Sequence, residues 1–208
     1  MLRIYAFIAI FSFSLPTSAQ DTADGIQDLK LRDWKPRSML VTKETRIDRP
    51  AFPVIDVHNH LGGGAKHLTP KRVQDYLQAM DEAGVETVVN LDGRWDNRLK
   101  ETLSALDEAH PRRFLTFALI NFEDIDDPQW SARETKRLRV SFDAGAKGLK
   151  FHKSLGLSYR YESGKLMAID DPKLDPIWEL CAEHGRPVMI HTSDPAAFFT
   201  SLDRFNER

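Results

Sequence analysis

The side chains best suited to chemistry stand at the ends of short apolar runs. The first run, Val54-Ile55-Asp56-Val57-His58-Asn59-His60-Leu61-Gly62, closes on a His-x-His pair. Residues two apart on a strand point to one face, so His58 and His60 can bring two imidazoles to a single ion. The pair leads into Gly62-Gly63-Gly64, a flexible loop that gives access to a site, and this context favours ligands over two surface histidines. Imidazole suits several transition metals, so spacing alone does not choose one. A second run, Pro187-Val188-Met189-Ile190-His191, ends on an imidazole just before the polar Thr192-Ser193-Asp194. By itself His191 reads either as a hydrogen-bonded core residue or as a ligand. In Gly148-Leu149-Lys150-Phe151-His152, alternation puts Lys150 and His152 on one face and Leu149 and Phe151 on the other. A lysine pointing inward is costly to bury without a partner or an uncharged form. Snorkelling at the strand end is the bland alternative.

Positioning these groups requires strands that all end at the same side. Apolar runs at Val54–His58, Glu86–Leu91, Phe114–Ile120, Lys147–His152 and Pro187–His191 read as strands. Their near-continuous apolar character suits parallel strands buried on both faces. They start about 30 residues apart, the length of one strand–helix unit. Between them, Thr69-Pro70, Asp127-Pro128 and Asp171-Pro172 each offer a helix N-cap followed by proline at the first helical position. Leu77, Met80 and Ala83 form one apolar helix face, Leu99, Leu103 and Leu106 a second, and Leu174, Ile177, Leu180 and Cys181 a third. Asp81-Glu82-Ala83-Gly84, Asp143-Ala144-Gly145 and Glu183-His184-Gly185 each end a helix on glycine, with a strand close behind. This helix–Gly–strand repeat predicts an α/β parallel architecture, either barrel or open sheet.

Composition sets the outer limits. The chain has 208 residues, 41% hydrophobic and 29% charged, with 11 Gly and 11 Pro, which excludes collagen-like, coiled-coil and disordered classes. A net charge of −2, with no run of one sign, gives no footprint for nucleic acid or an anionic membrane. One cysteine, Cys181, cannot form an internal disulfide, and a metal site must use His, carboxylates or Lys. Residues 1–19 read as a signal peptide: Arg3, the apolar Ile4 to Phe13, the Leu15-Pro16 break and cleavage after Ala19. The mature chain is therefore expected to be secreted or periplasmic, with no membrane association after cleavage. Residues 20–51 form a polar leader expected to lie over the surface of the domain at 52–208.

Together, His58, His60, Lys150, His152 and His191 come from the same end of strands one, four and five, where a (β/α) barrel places its active site. The constellation resembles the amidohydrolase superfamily, in particular the amidohydrolase-related branch with the aminocarboxymuconate-semialdehyde decarboxylase-like enzymes. Ile55-Asp56-Val57-His58-Asn59-His60, Gly148-Leu149-Lys150 and Val188-Met189-Ile190-His191 carry the likeness. The resemblance implies a TIM-type (β/α) barrel, incomplete here at about five of eight strand–helix units. It also implies a divalent ion, zinc first and manganese or iron as alternatives, held by His58, His60 and His191. Lys150 sits where binuclear relatives carry a carboxylated lysine, which makes it either a ligand or a substrate-orienting cation. Asp92, Arg94, Asn121, His152 and Arg160 are candidates for contact with a small-molecule substrate, and relatives of this kind are often homodimers.

The implied chemistry is a metal-activated water attacking a carbonyl, or, on the same residues, a carboxy-lyase reaction in which charge develops on carbon. Family members add a His from strand six and an Asp from strand eight, the expected general base. From residue 52 this sequence offers room for five strands, so the site is expected to be short of at least one ligand and of that base. Two other classes compete. TatD-type nucleases and polymerase-histidinol-phosphatase-like phosphoesterases share the His-x-His opening, but Ala146-Lys147-Gly148-Leu149-Lys150 lacks the carboxylate that TatD proteins carry there. The other is an inactive metal-binding fragment.

Overall fold

The structure, a computed structural model, describes residues 26–47, 49–192 and 194–207. The expected signal peptide at 1–19 and the start of the polar leader lie outside the described residues. The described residues form two compact units, a larger one at 45–192 without 48 and a smaller one that joins 26–44 to 194–207. In the smaller unit, residues 34–37 run beside 204–206. The Lys35 and Arg37 amides donate to the Arg204 and Phe205 carbonyls at 2.9 and 2.8 Å. The Arg37 guanidinium covers the Phe205 ring at 4.0 Å.

The larger unit holds five parallel strands: β1 (Val54–Asn59), β2 (Val85–Asn90), β3 (Phe114–Thr116), β4 (Leu149–Phe151) and β5 (Val188–Ile190). β1, β2 and β3 pair in that order, and β4 pairs with β5. A parallel bridge between Ala118 and Leu149 links the two ladders, with Lys150 N donating to Ala118 O at 2.9 Å. The strands thus lie in chain order, with Val54 beside Val85, Val88 beside Phe114 and Leu149 beside Val188. Each predicted apolar run overlaps its strand, with β1 running one residue further, to Asn59, and β2 starting one residue earlier, at Val85. Beyond the short β3 and β5 single hydrogen bonds still serve the neighbouring strand, Phe117 N to Asn90 O and His191 N to Phe151 O.

Helices α1 (Pro70–Ala83), α2 (Asp96–Leu103), α3 (Trp130–Asp143) and α4 (Asp175–Glu183) connect the strands. Thr69 caps α1 as predicted, its hydroxyl accepting from Arg72 N, and Pro70 opens the helix. Gly84 ends α1 at φ 72, left-handed backbone that a side chain resists. The expected start of α3 at Asp127-Pro128 is corrected. Asp127 instead closes a turn, taking Gln129 N at 2.8 Å and the Arg133 guanidinium, and the helix begins at Trp130. Asp171 caps the short 3-10 turn Pro172–Leu174 that leads into α4.

Apolar burial on both strand faces holds this arrangement. On one side, Val88 and Phe114 pack with Val73, Met80 and Leu106. Leu149 and Phe151 pack with Leu99, Trp130, Leu138, Ile177 and Leu180. Val89, Leu91 and Phe117 form a separate cluster with Met189 against it. β1 is the exception: Ile55 and Val57 are 58% and 54% exposed. Cys181 belongs to the core, as its helix face predicted, and burial pushes its thiol up to about 11. In the native protein at about pH 8, alkylation of Cys181 should be at least tenfold slower than in urea, because only the thiolate reacts. Mass spectrometry of the labelled protein checks this.

α2 continues through a π turn, Ser104–Glu108, that delivers Asp107 to the end of β3. Asp107 accepts from Thr116 N at 2.9 Å and from its hydroxyl at 2.5 Å. Burial pushes the Asp107 carboxyl above the usual carboxylate range, and these bonds only partly oppose it. A raised folded-state value means the stabilising contribution exists at low pH and is lost as pH rises through that value. Asp107→Asn should therefore gain stability relative to the parent as pH rises from about 4 toward 7. Urea denaturation at several pH values gives the difference.

Candidate functional site

The carboxyl ends of the strands gather the predicted residues. His58 lies in β1 and His60 just beyond it, Asp92 and Arg94 follow β2, Lys150 lies in β4 with His152 after it, and His191 follows β5. The His58 ring meets His60 edge-on at 5.4 Å between centroids and His191 edge-on at 6.0 Å. His60 stacks on His152 at 5.7 Å. Two imidazoles sharing one tetrahedral ion have centroids roughly 5–6 Å apart, given metal–nitrogen distances of about 2.0–2.1 Å. Among the described residues, no group of three or more His, Cys, Asp or Glu stands in metal-holding geometry. His58 stands at such a spacing from both His60 and His191, and imidazole is a donor type that suits a divalent ion.

Burial and neighbouring cations favour the neutral form of His58 and His152. Burial lowers the His58 value most, and Lys150, His60 and His191 lower it further against a weaker opposing effect of Asp56. Burial likewise lowers His152, with His60 and Lys150 adding to the effect. Lys150 is 1% exposed, and its Nζ has no hydrogen-bond partner. Burial pulls its ammonium below the usual lysine range, while Asp92 favours the charge. Arg94 Nε is also buried without a partner, on a residue held at φ 64. A non-glycine residue at that φ is strained, and such strain persists only where the surroundings hold it.

The loop after β1 is tied down from β2 and α2. Asn90, fully buried, accepts from Leu61 N at 3.2 Å and donates to Gly62 O at 3.2 Å. Asp92 Oδ1 lies 3.0 Å from His60 Nδ1, and Oδ2 accepts from Gly62 N at 3.1 Å. Thr102 takes Gly64 N at 2.8 Å, Glu101 takes Ala65 N at 2.9 Å, and Arg98 donates to Gly63 O at 2.9 Å. A Cβ on Gly63 would stand 2.3 Å from the Asp92 carbonyl, so the loop can close only on glycine.

Three candidates for substrate contact have partners within the chain. Asp92 is engaged by His60 and Gly62. The Asn121 side chain pairs with Glu123, donating to its carboxylate and accepting from its amide, both at 3.0 Å. Arg160 donates to Gly164 O at 3.1 Å and lines a cavity of about 540 Å³ with Asp124, Asp126 and Tyr161. Asn90 escaped the sequence reading. Its signal was present: an asparagine closing Val88-Val89-Asn90, where strands disfavour that residue unless its amide is used.

A family model described as amidohydrolase matches residues 55–206. The chain belongs to the amidohydrolase family. Solved structures similar to it include a probable 2-pyrone-4,6-dicarboxylic acid hydrolase from Acinetobacter baumannii, crystallised with citric acid. That likeness has 16% identity and a TM-score of 0.41, over 66% of this chain and 49% of that one. Another is 4-oxalomesaconate hydratase from Rhodopseudomonas palustris, at 16% identity and TM-score 0.47, over 70% of this chain and 54% of that one. The chain spans about half the length of these structures. No curated protein matches it.

Replacing Asn90 by alanine strands the Leu61 amide and the Gly62 carbonyl. Asn90→Ala should cost roughly 1–3 kcal/mol for each group left unpaired. Urea denaturation measures the loss, and a cost within error of zero would show that the loop is held without Asn90.

Proposed function

We propose that this amidohydrolase-family chain carries the histidine side of a metal-dependent hydrolase site for a small carbonyl substrate that bears a carboxylate. One observation carries the reading: His58, His60 and His191 converge from β1 and β5, with the unpartnered Lys150 near His58 and His152, and Arg94 near His152. His58, His60 and His191 would hold the ion, with zinc the metal that suits neutral imidazoles first and manganese or iron as alternatives. A divalent ion supplies, when bound, Lewis-acid polarisation of a carbonyl and activation of water near neutral pH.

The chain's own residues do the rest. Lys150 Nζ and Arg94 Nε offer donors that lack any acceptor among the described residues, so an anionic group brought to them satisfies both. Burial strengthens that attraction and excludes water from it. His152 stacks on His60 and faces the same cations, where it can contact the reacting end of the substrate. The chain-order parallel ladder supports reading the unit as five of the eight strand–helix units of a (β/α) barrel, whose sites lie at this end of the strands. Export through residues 1–19 and a lack of nucleic-acid partners complete the proposal.

Zinc titrated calorimetrically into metal-free protein should bind, and His58→Ala and His191→Ala should each weaken binding by about tenfold or more. Equal affinity in both variants would reject the ligand set. Ester and lactone substrates with and without a carboxylate test the rest, with carbon dioxide release followed in parallel. Chelator-sensitive hydrolysis is expected. Lys150→Met should raise KM about tenfold for the carboxylate-bearing member alone, the loss of one charged contact. Carbon dioxide release without hydrolysis would instead make the enzyme a carboxy-lyase.

A further inference from the structure

We propose that Asp92 is a positioning residue that sets the tautomer of His60, holding the proton on Nδ1 and leaving Nε2 as the nitrogen that can act as a ligand. The inference about the tautomer stands on geometry alone; its consequence for metal binding rests on the reading above. Asp92 Oδ1 lies 3.0 Å from His60 Nδ1, and Oδ2 accepts from Gly62 N at 3.1 Å. An ionised carboxylate has only acceptors, so the ring nitrogen facing it must carry hydrogen. In a neutral imidazole the free lone pair then belongs to Nε2.

The backbone that carries the carboxylate is held as well. Asp92 N donates to the side chain of Asn90 at 3.3 Å, and Asn90 is itself fully buried and bonded to both sides of the β1 loop. Asp92 therefore joins the backbone that carries His60 to the ring of His60 through one rigid group. Rotation of the ring about its own bond would break the Nδ1 contact while Gly62 still holds the other oxygen. His60 thus enters the cluster with one nitrogen assigned before any ligand arrives. The half-exposed ring, 43% accessible at its side chain, needs such a partner, since packing alone does not fix it.

Asp92→Asn separates this role from simple strapping of the loop. The asparagine oxygen can still accept from Gly62 N, which places its NH2 against His60 Nδ1. That arrangement demands a lone pair on Nδ1 and moves the proton to Nε2. The opposite amide orientation sets two donors face to face at Gly62 and is disfavoured.

The test uses the full chain with 15N-labelled histidine and no metal, at about pH 8.5, well above the ordinary imidazole value of about 6.5. Long-range 15N–1H NMR reads the tautomer of His60 directly. The parent should show the Nδ1–H form and Asp92→Asn the Nε2–H form, with zinc affinity lowered about 10- to 100-fold in the variant. An Nε2–H form or an even mixture in the parent overturns the proposal, and this readout needs no variant to fold. An unchanged tautomer in Asp92→Asn overturns it too, as does a switched tautomer with unchanged zinc affinity. A switch of tautomer in a protein that binds no zinc at all supports the positioning role and defeats the metal reading instead.

Discussion

Five strands that run the same way, in chain order, can present their carboxyl ends only along one edge. That constraint governs the larger unit. It follows from strands with apolar side chains on both faces, which must be covered on both sides and so need a helix between each pair. Val88 and Phe114 point to one cover, and Val89, Leu91 and Phe117 to the other. Residues as far apart in sequence as His58 and His191 then meet, because β1 and β5 end at the same level. The tight fit of α3 and α4 against β4, through Leu138, Ile177, Leu180, Leu149 and Phe151, holds Lys150 at that edge.

Once assembled, the edge concentrates cations and imidazoles without enough acid to balance them. Lys150 and Arg94 stand among His58, His60 and His152, while Asp56 and Asp92 supply the nearby negative charge. Asp56 is engaged by His58 N and Asn59, and Asp92 by His60 and Gly62. Lowered values at His58 and His152 and a destabilised Lys150 ammonium are the consequence. Perturbed groups and backbone strain of this kind gather at functional sites, and the Arg94 backbone at φ 64 lies among them.

The amidohydrolase family assignment agrees with these residues, since the matched segment runs from Ile55 through every histidine of the cluster. Fold and family fix where chemistry occurs more firmly than which substrate it serves. Here that restriction is physical: the described residues provide imidazoles, two cations and a bound loop, all from these five strands and the loops after them. The exposed Ile55 and Val57 mark β1 as an apolar edge in the described chain, and edges of this kind favour a further covering element.

Much of this could be read from the sequence. Alternation and apolar runs located the five strands; Thr69-Pro70 and Gly84 located the ends of α1; Cys181 fell in the core on its helix face. His58, His60, Lys150, His152 and His191 were recognisable as strand-end residues, because position along a strand is a local property with a fixed period. The start of α3 was missed by two residues, since Asp127 can satisfy a turn or a helix equally well and only the packing of Trp130 chose between them. The roles of Asp92, Asn90 and Asn121 were likewise beyond local pattern. An aspartate after a strand looks the same whether it faces a substrate or a histidine, and the partner that decides lies 32 residues away for Asp92. The sequence by itself determined which residues reach the edge of the sheet. Only the tertiary structure decided which of them pair there, because hydrogen-bond partners and burial are set by chain segments that no local spacing records.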